Sequence, residues 1–227
     1  MLCDAGPASH DPRKGGWPRR LLTVAAGTGK LRELLGPTEG LEHPVWSADG
    51  KKIAFASNRG LETINRDGSS RSLLFASKGV LPDAAAWSPD GKRVAFVSLT
   101  LPDGENDLRL IDLNTGKVRP LAQCGLGIPH WSPDGQYVEC DGPDLNAPQV
   151  LIYDLSAGKV LQLPHGGSGL VGFGWSPDGR YVLAARAPSL LAKPQLVVVE
   201  IPSGKTMVAD TGGALFGAAT WARSRQH

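Results

Sequence analysis

Short apolar runs broken by turn residues fill this chain, and they return at a fixed interval. After Trp46-Ser47-Ala48-Asp49-Gly50, the segment Lys51-Lys52-Ile53-Ala54-Phe55-Ala56 alternates with period two, the pattern of a strand. Trp87-Ser88-Pro89-Asp90-Gly91-Lys92-Arg93-Val94-Ala95-Phe96 repeats it, as do Trp131-Ser132-Pro133-Asp134-Gly135 and Trp175-Ser176-Pro177-Asp178-Gly179, and a bare Trp221 follows in phase. Successive tryptophans stand 41, 44, 44 and 46 residues apart. A period of this size is the signature of propellers and solenoids, and helical patterning appears nowhere of note.

Between the tryptophans a second unit recurs, with turns at Thr28-Gly29-Lys30, Asp67-Gly68, Thr115-Gly116-Lys117, Ala157-Gly158-Lys159 and Ser203-Gly204-Lys205. Runs such as Leu108-Arg109-Leu110-Ile111-Asp112 and Val150-Leu151-Ile152-Tyr153-Asp154 flank them, so each is a hairpin whose Gly supplies a positive φ. In the Trp motif, Pro presets φ, Asp bonds its own backbone two residues on, and Gly takes the left-handed position. If Ser47 and Lys51 close that turn, Trp46 shares a face with Ala54 and Ala56, whose small size leaves room for the indole between neighbouring sheets.

Each period therefore predicts four strands: a, ending at Trp-Ser; b, the Ile/Val-Ala-Phe run; and c and d, joined by the Gly-Lys turn. The expected fold is an all-β β-propeller of four-stranded antiparallel blades, with five blades the economical count. Complete blades begin near Trp46, Trp87, Trp131 and Trp175. The hairpin at 21–35 lacks strands a and b, and residues 216–222 are expected to supply strand a, closing the ring and removing exposed edges. Residues around Gly15 to Trp17 would complete that blade, unless the chain is part of a larger ring. Residues 1–19, rich in Gly, Pro and charge, are expected to be a flexible lead-in, with the propeller over 20–227.

Composition adds exclusions. With 29 Gly and 18 Pro beside 41% hydrophobic residues, the turn formers punctuate a packed domain instead of marking disorder. A net charge of +2 with the signs interspersed gives no field for nucleic acid. No run reaches the ~18 apolar residues of a membrane helix, so membrane insertion is not expected. No apolar leader is visible, which would make the chain cytoplasmic if it is complete. Cys3, Cys124 and Cys140 indicate neither a zinc site nor a disulfide framework; a Cys124–Cys140 bridge is open to the chain but not expected.

The repeated Trp-Ser-Pro-Asp-Gly-Lys-x-(Ile/Val)-Ala-Phe string, Ser57-Asn58-Arg59-Gly60 after strand b, and Ile152-Tyr153-Asp154 in strand c resemble the TolB-type, WD-repeat-like β-propeller family over roughly residues 20–222. That resemblance implies a propeller that binds a protein or peptide, often in the bacterial periplasm or cell envelope. Similar repeats form the gating propeller of prolyl-oligopeptidase-type proteases and sensor segments of kinases. Rings of the TolB type usually have six blades. A closed ring is expected to be monomeric.

Candidate chemistry is sparse. Asp49, Asp90, Asp134 and Asp178 each belong to a hairpin turn on a separate blade. Gly27-Thr28-Gly29-Lys30 lacks the remaining residues of a phosphate loop, and Gly166-Gly167-Ser168-Gly169-Leu170 misses the nucleophile elbow. The five histidines show no metal-ligand spacing, so no catalytic residue, metal or cofactor is expected. What remains is position. The b-to-c and d-to-a loops are the longest and least alike, and such loops carry function on a rigid scaffold. They offer Glu42, His43, Asn58, Arg59, Asp83, Asp103, Glu105, Asp107, Asp141, His165 and Arg186 as binding residues of a non-enzymatic interaction scaffold. The alternative is a gating or sensor propeller attached to a hydrolase or kinase, or a lyase-like ring.

Glu139 departs from the pattern, standing where the other repeats have Ala54, Ala95 and Leu183. A carboxylate between blades is costly unless paired or wet. Either it belongs to a channel site or it salt-bridges a neighbour. His130 is expected on the opposite face of the hairpin.

Overall fold

The computed structural model describes residues 2–5, 19–125, 127–144, 149–161, 163, 170–186, 195–209 and 221. Among them are strands and turns but no helix. A three-stranded sheet contains β1 (Leu2–Ala5), β2 (Arg19–Val24) and β3 (Leu31–Thr38). Four four-stranded sheets follow in chain order. The first holds β4 (Glu42–Trp46), β5 (Lys52–Ser57), β6 (Gly60–Asn65) and β7 (Ser72–Phe75). The second holds β8 (Val80–Trp87), β9 (Arg93–Thr100), β10 (Glu105–Asp112) and β11 (Val118–Gln123). The third holds β12 (His130–Trp131), β13 (Tyr137–Asp141), β14 (Val150–Asp154) and β15 (Lys159–Leu161). The fourth holds β16 (Leu170–Trp175), β17 (Tyr181–Arg186), β18 (Gln195–Glu200) and β19 (Thr206–Val208). Strands neighbour one another in sequence order within every sheet, the meander of a propeller blade.

Packing divides the chain into two units, Met1–Glu105 with Arg109–Pro120, and Asn106–Leu108 with Leu121–His227. Within the first, Leu21, Leu41, Ile53, Phe55 and Ile64 form one core, while Ala54, Leu61, Ala85, Trp87, Val94, Phe96 and Ile111 form another. β5 thus sends Ile53 and Phe55 to one sheet and Ala54 to the next, so period two here separates two buried faces rather than core from solvent. In the second unit, Val150, Ile152, Leu163, Leu170, Val182, Ala184, Val197, Val199 and Ile201 form the core.

The Trp turns close one residue later than the sequence reading expects. Ser47 N–H donates to Lys52 O at 2.8 Å, and the ladder pairs Trp46 with Ile53 and Val45 with Ala54. Trp46 therefore shares a face with Ile53 and Phe55, not with Ala54 and Ala56. A one-residue slip exchanges every side chain between faces. The cause is Ser47, whose Oγ donates to Asp49 Oδ1 at 2.7 Å and accepts the Lys52 N–H at 2.9 Å. Ser88, Ser132 and Ser176 repeat both bonds with Asp90, Asp134 and Asp178 and with the N–H groups of Arg93, Tyr137 and Tyr181. The four aspartates are turn residues, as the sequence indicates.

Two indoles reach back to the strand that carries the preceding Trp motif. Trp87 Nε1 donates to Val45 O at 3.2 Å, and Trp221 Nε1 donates to Gly174 O at 3.0 Å. In both, the acceptor is the residue just before the preceding motif's Trp. Trp221 is the one described residue of the expected closing strand 216–222.

Two local features differ from the sequence reading. Leu2–Ala5, assigned there to the lead-in, pairs antiparallel with β2 from Leu2↔Thr23 to Ala5↔Arg20, while Gly15 to Trp17 lie outside the described residues. Cys124 and Cys140 are joined by a disulfide, which corrects the expectation of free thiols. Gly125 N–H donates to Asp141 O at 2.7 Å, laying the segment after β11 against β13 and bringing the two Cα atoms to 6.3 Å. Sixteen residues of sequence separation conceal that proximity.

Two measurements check this account. Ser88 is fully buried, and Ser88→Ala strands the Arg93 N–H; urea unfolding is expected to show a loss of about 1–3 kcal/mol. Thiol titration of the unreduced, denatured chain should find one reactive thiol of the three cysteines, rising to three after reduction.

Candidate functional site

In every four-stranded sheet the Trp turn and the Gly-containing turn between the last two strands lie at the same end. At the turn end a groove of about 310 Å³ runs between Ser47–Lys52 and Trp87–Gly91. Ser47, Asp49 and Asp90 in its lining are already committed to the turns' own hydrogen bonds. Hydrogen bonding to Ser47 and Ser88 holds the Asp49 and Asp90 carboxyls below the usual range, consistent with fixed turn residues.

The loop end brings three of the expected binding residues together. Glu42 and His43 leave β4 and Asp83 leaves β8, each where the ladder register shifts. Bulges of this kind re-aim side chains. His43 Nδ1 lies 3.0 Å from Asp83 Oδ1, and one ligand atom from each of Glu42, His43 and Asp83 falls within 4.8 Å of the others. The group could hold a cation, although Glu42 Oε1 also pairs with Arg19 Nη1 at 3.4 Å.

Beside β5 and β6, Asn58 Nδ2 donates to Glu39 Oε2 at 3.5 Å, and the exposed Arg59 pairs with Glu62 Oε2 at 3.3 Å. Glu62, which the sequence reading missed, is fully buried. Its carboxylate accepts two bonds from Arg71 at 2.8 Å and one from Ser57 at 2.6 Å. Burial pushes that carboxyl up, but the bonds from Arg71 and Ser57 outweigh it and hold it below the usual value. The signal available in sequence was the acid inside strand c, with Arg71 beyond the hairpin. Glu62 holds the sheet and Arg59 its rim.

The remaining expected residues are dispersed. Asp103 and Glu105 are exposed before and at the start of β10, and Asp107 is half-buried further along it. Arg186 Nη2 donates to Gln195 Oε1 at 3.0 Å at the ends of β17 and β18. His165 lies outside the described residues.

Asp141 has the partners that the sequence reading separated from each other. His130 stands directly opposite Glu139 in the β12–β13 ladder, so the two share a face, and Asp141 follows two residues on. The expectation that His130 lies on the other face is overturned by the same one-residue register shift. Glu139 is 2% exposed; its Oε2 lies 3.8 Å from His130 Nδ1 and has no hydrogen-bond partner. Its other oxygen occupies the place where a Cβ on Gly172 of β16 would stand. Gly172 pairs with Ala184, and Ile152 stands opposite Glu139 on β14, so the carboxyl's surroundings are small or apolar.

Burial, reinforced by the neighbouring Asp141 charge, pushes the Glu139 carboxyl up to about 8. Burial also raises Asp141 against the opposing influence of His130, and it lowers His130 against that of Asp141. Glu139 is thus a buried acid held mostly protonated at neutral pH beside a largely neutral imidazole. This arrangement can exchange a proton.

No family model and no curated protein sequence matches the chain. Solved structures do. TolB from Acinetobacter baumannii superposes with a TM-score of 0.67 at 22% identity, covering 91% of this chain and 51% of its own. The fold is that of a TolB-like β-propeller. The propeller spans about half the length of that TolB. Oligogalacturonate lyase from Vibrio parahaemolyticus shares the fold with a TM-score of 0.62 at 18% identity, over 84% of this chain and 57% of the lyase. The β-propeller domain of the trilobed protease from Pyrococcus furiosus matches with a TM-score of 0.57 at 17% identity, over 76% of this chain and 57% of that one. The fold is therefore shared with a lyase and with a domain of a protease as well as with TolB.

The Glu139 carboxyl gives a signed pH dependence. Its folded value lies above the ordinary 4.5, so its contribution to stability is fully present below about 4.5 and is lost as pH rises through about 8. Unfolding midpoints from pH 5 to 8.5 in chelator-containing buffer should fall for the native chain, and the slope should flatten in Glu139→Gln.

Proposed function

We propose that the chain is a non-enzymatic interaction propeller that binds a protein or peptide through the loop ends of its sheets. The observation that carries this reading is the contrast between the two ends. In each four-stranded sheet one end is closed by a near-identical Ser-Asp turn, whereas the other end of the first two sheets presents Glu42, His43 and Asp83 as a charged group on bulged strands. Loops displayed on a rigid frame are where recognition concentrates. The TolB-like fold adds support by analogy of architecture. The buried Cys124–Cys140 bridge fits an oxidising compartment such as the periplasm.

A second reading, a lyase-like or hydrolase-associated propeller, draws on the buried acid Glu139 and on the lyase and prolyl endopeptidase structures that share the fold. An oligogalacturonate elimination assay and a peptidase assay on the purified chain separate the two. Turnover that disappears in Glu139→Gln supports the enzyme.

For the interaction reading, a partner identified by crosslinking is titrated against purified variants. Asp83→Lys and Arg59→Glu should each weaken binding roughly tenfold or more, about 1.4 kcal/mol, while Lys51→Glu and Lys92→Glu at the turn end leave it unchanged. Equal losses at both ends, or none at the loop end, would discard this surface.

A further inference from the structure

Two joints of the first unit treat the same indole position differently. Between β4–β7 and β8–β11, Trp87 donates to Val45 O and shares its groove with the turn from Ser47 to Lys52, which leaves it 9% exposed. Between β1–β3 and β4–β7 the equivalent residue is Trp46, and the described part of the preceding sheet carries no Trp turn to meet it. Trp46 is half-buried, and among the described residues its Nε1–H has no acceptor. The groove that it lines is wider, about 530 Å³ against about 310 Å³, and the β2–β3 turn forms the other wall.

That groove carries one sign of charge. Lys30, Arg32 and Arg66 line it beside the apolar Val24, Leu31 and Trp46, and none of its lining residues is acidic. Leu31 is 60% exposed. Arg32 Nη2 donates to Asp67 O at 2.8 Å, which anchors its head group across the joint. The acids of the adjoining turns are engaged. Asp67 Oδ1 accepts from the Ser69 N–H and hydroxyl, and Asp49 Oδ1 from the Ser47 hydroxyl and the Lys51 N–H. Among the described residues no carboxylate pairs with Lys30 or Arg66.

We propose that this groove binds an extended acidic peptide segment of a partner protein. The neighbouring joint is the template for what fits beside such an indole: a strand carbonyl, Val45 O, followed four residues on by the aspartate Asp49 in the same groove. A peptide laid along Trp46 offers a carbonyl to the Nε1–H and carboxylates to Lys30, Arg32 and Arg66, while its apolar side chains cover Val24 and Leu31. The chain's own segments have the wrong sign for this lining. Residues 6–18 carry Asp11 against Arg13 and Lys14, and residues 210–227 carry Asp210 against Arg223 and Arg225. Three cations grouped at two turns, on a chain of net charge +2, do not make the basic stripe that nucleic acid requires.

The test titrates the isotope-labelled full chain with one probe, the capped hexapeptide Val-Leu-Ser-Asp-Asp-Asp, and follows the indole N–H resonances. The Trp46 resonance, assigned by its loss in Trp46→Phe, is expected to shift saturably, and the same peptide with Asn for Asp to bind at least roughly fivefold more weakly. Lys30→Glu and Arg66→Glu, both at exposed positions where folding is not at stake, should each weaken binding by a similar factor, and rising salt should weaken it further. Asp83→Lys at the loop end should leave the peptide affinity unchanged, so this result is independent of the interaction reading. Absence of a saturable Trp46 shift, equal affinity for the Asn peptide, tighter binding of a thymidine oligonucleotide, or full affinity in Arg66→Glu overturns the proposal.

Discussion

Everything positional in this chain depends on one small contact, the hydroxyl of the Trp-motif serine. It accepts the N–H five residues on and donates to the aspartate two residues on, and by doing so it fixes where strand a ends and strand b begins. Because both faces of strand b are buried, that contact sets register and also decides which neighbouring sheet each side chain meets. A weak bond in isolation thereby settles the composition of two interfaces. The same geometry recurs in all four Trp turns.

The architecture was legible because turn chemistry is local. Trp, Ser, Asp and Gly at fixed offsets declare a hairpin from ten residues of sequence, and four copies declare a meander of blades. The face assignment was not legible. Pro-Asp-Gly identifies a turn, but whether four or three residues lie between the closing pair is settled by the buried serine, and the period-two pattern then carries a one-residue error to every position. Placing Trp46 with Ala54 and separating His130 from Glu139 were the same mistake. The loop end was legible as a region, and Glu42, His43 and Asp83 do converge there, but their convergence depends on strand bulges that leave no local signature. Glu62 and the Cys124–Cys140 bridge stayed hidden for a related reason, since each depends on a partner brought across a ladder or a loop.

The joint around Glu139 illustrates how a repeat protein acquires individuality without changing its backbone. Exchanging a large residue for a small one on one sheet, and a small one for a long polar one on the other, preserves volume while replacing an apolar contact by a carboxyl. Sequence self-similarity conceals such exchanges because each substitution looks ordinary within its own blade. Only the pairing across the joint reveals that Glu139 fits the space left by Gly172 and Ala184.

That joint has a mechanical consequence as well. Trp87 and Trp221 each clasp the carbonyl before the preceding tryptophan, whereas the Trp175 indole, at the same place in its own repeat, has no hydrogen-bond partner and stacks on Tyr137 instead. A stack resists sliding of the two sheets less than a directional bond does. Within the second unit this makes the β12–β15 and β16–β19 contact the seam along which a local opening would start, and the amides of β16 the ones to exchange with solvent ahead of those in β17.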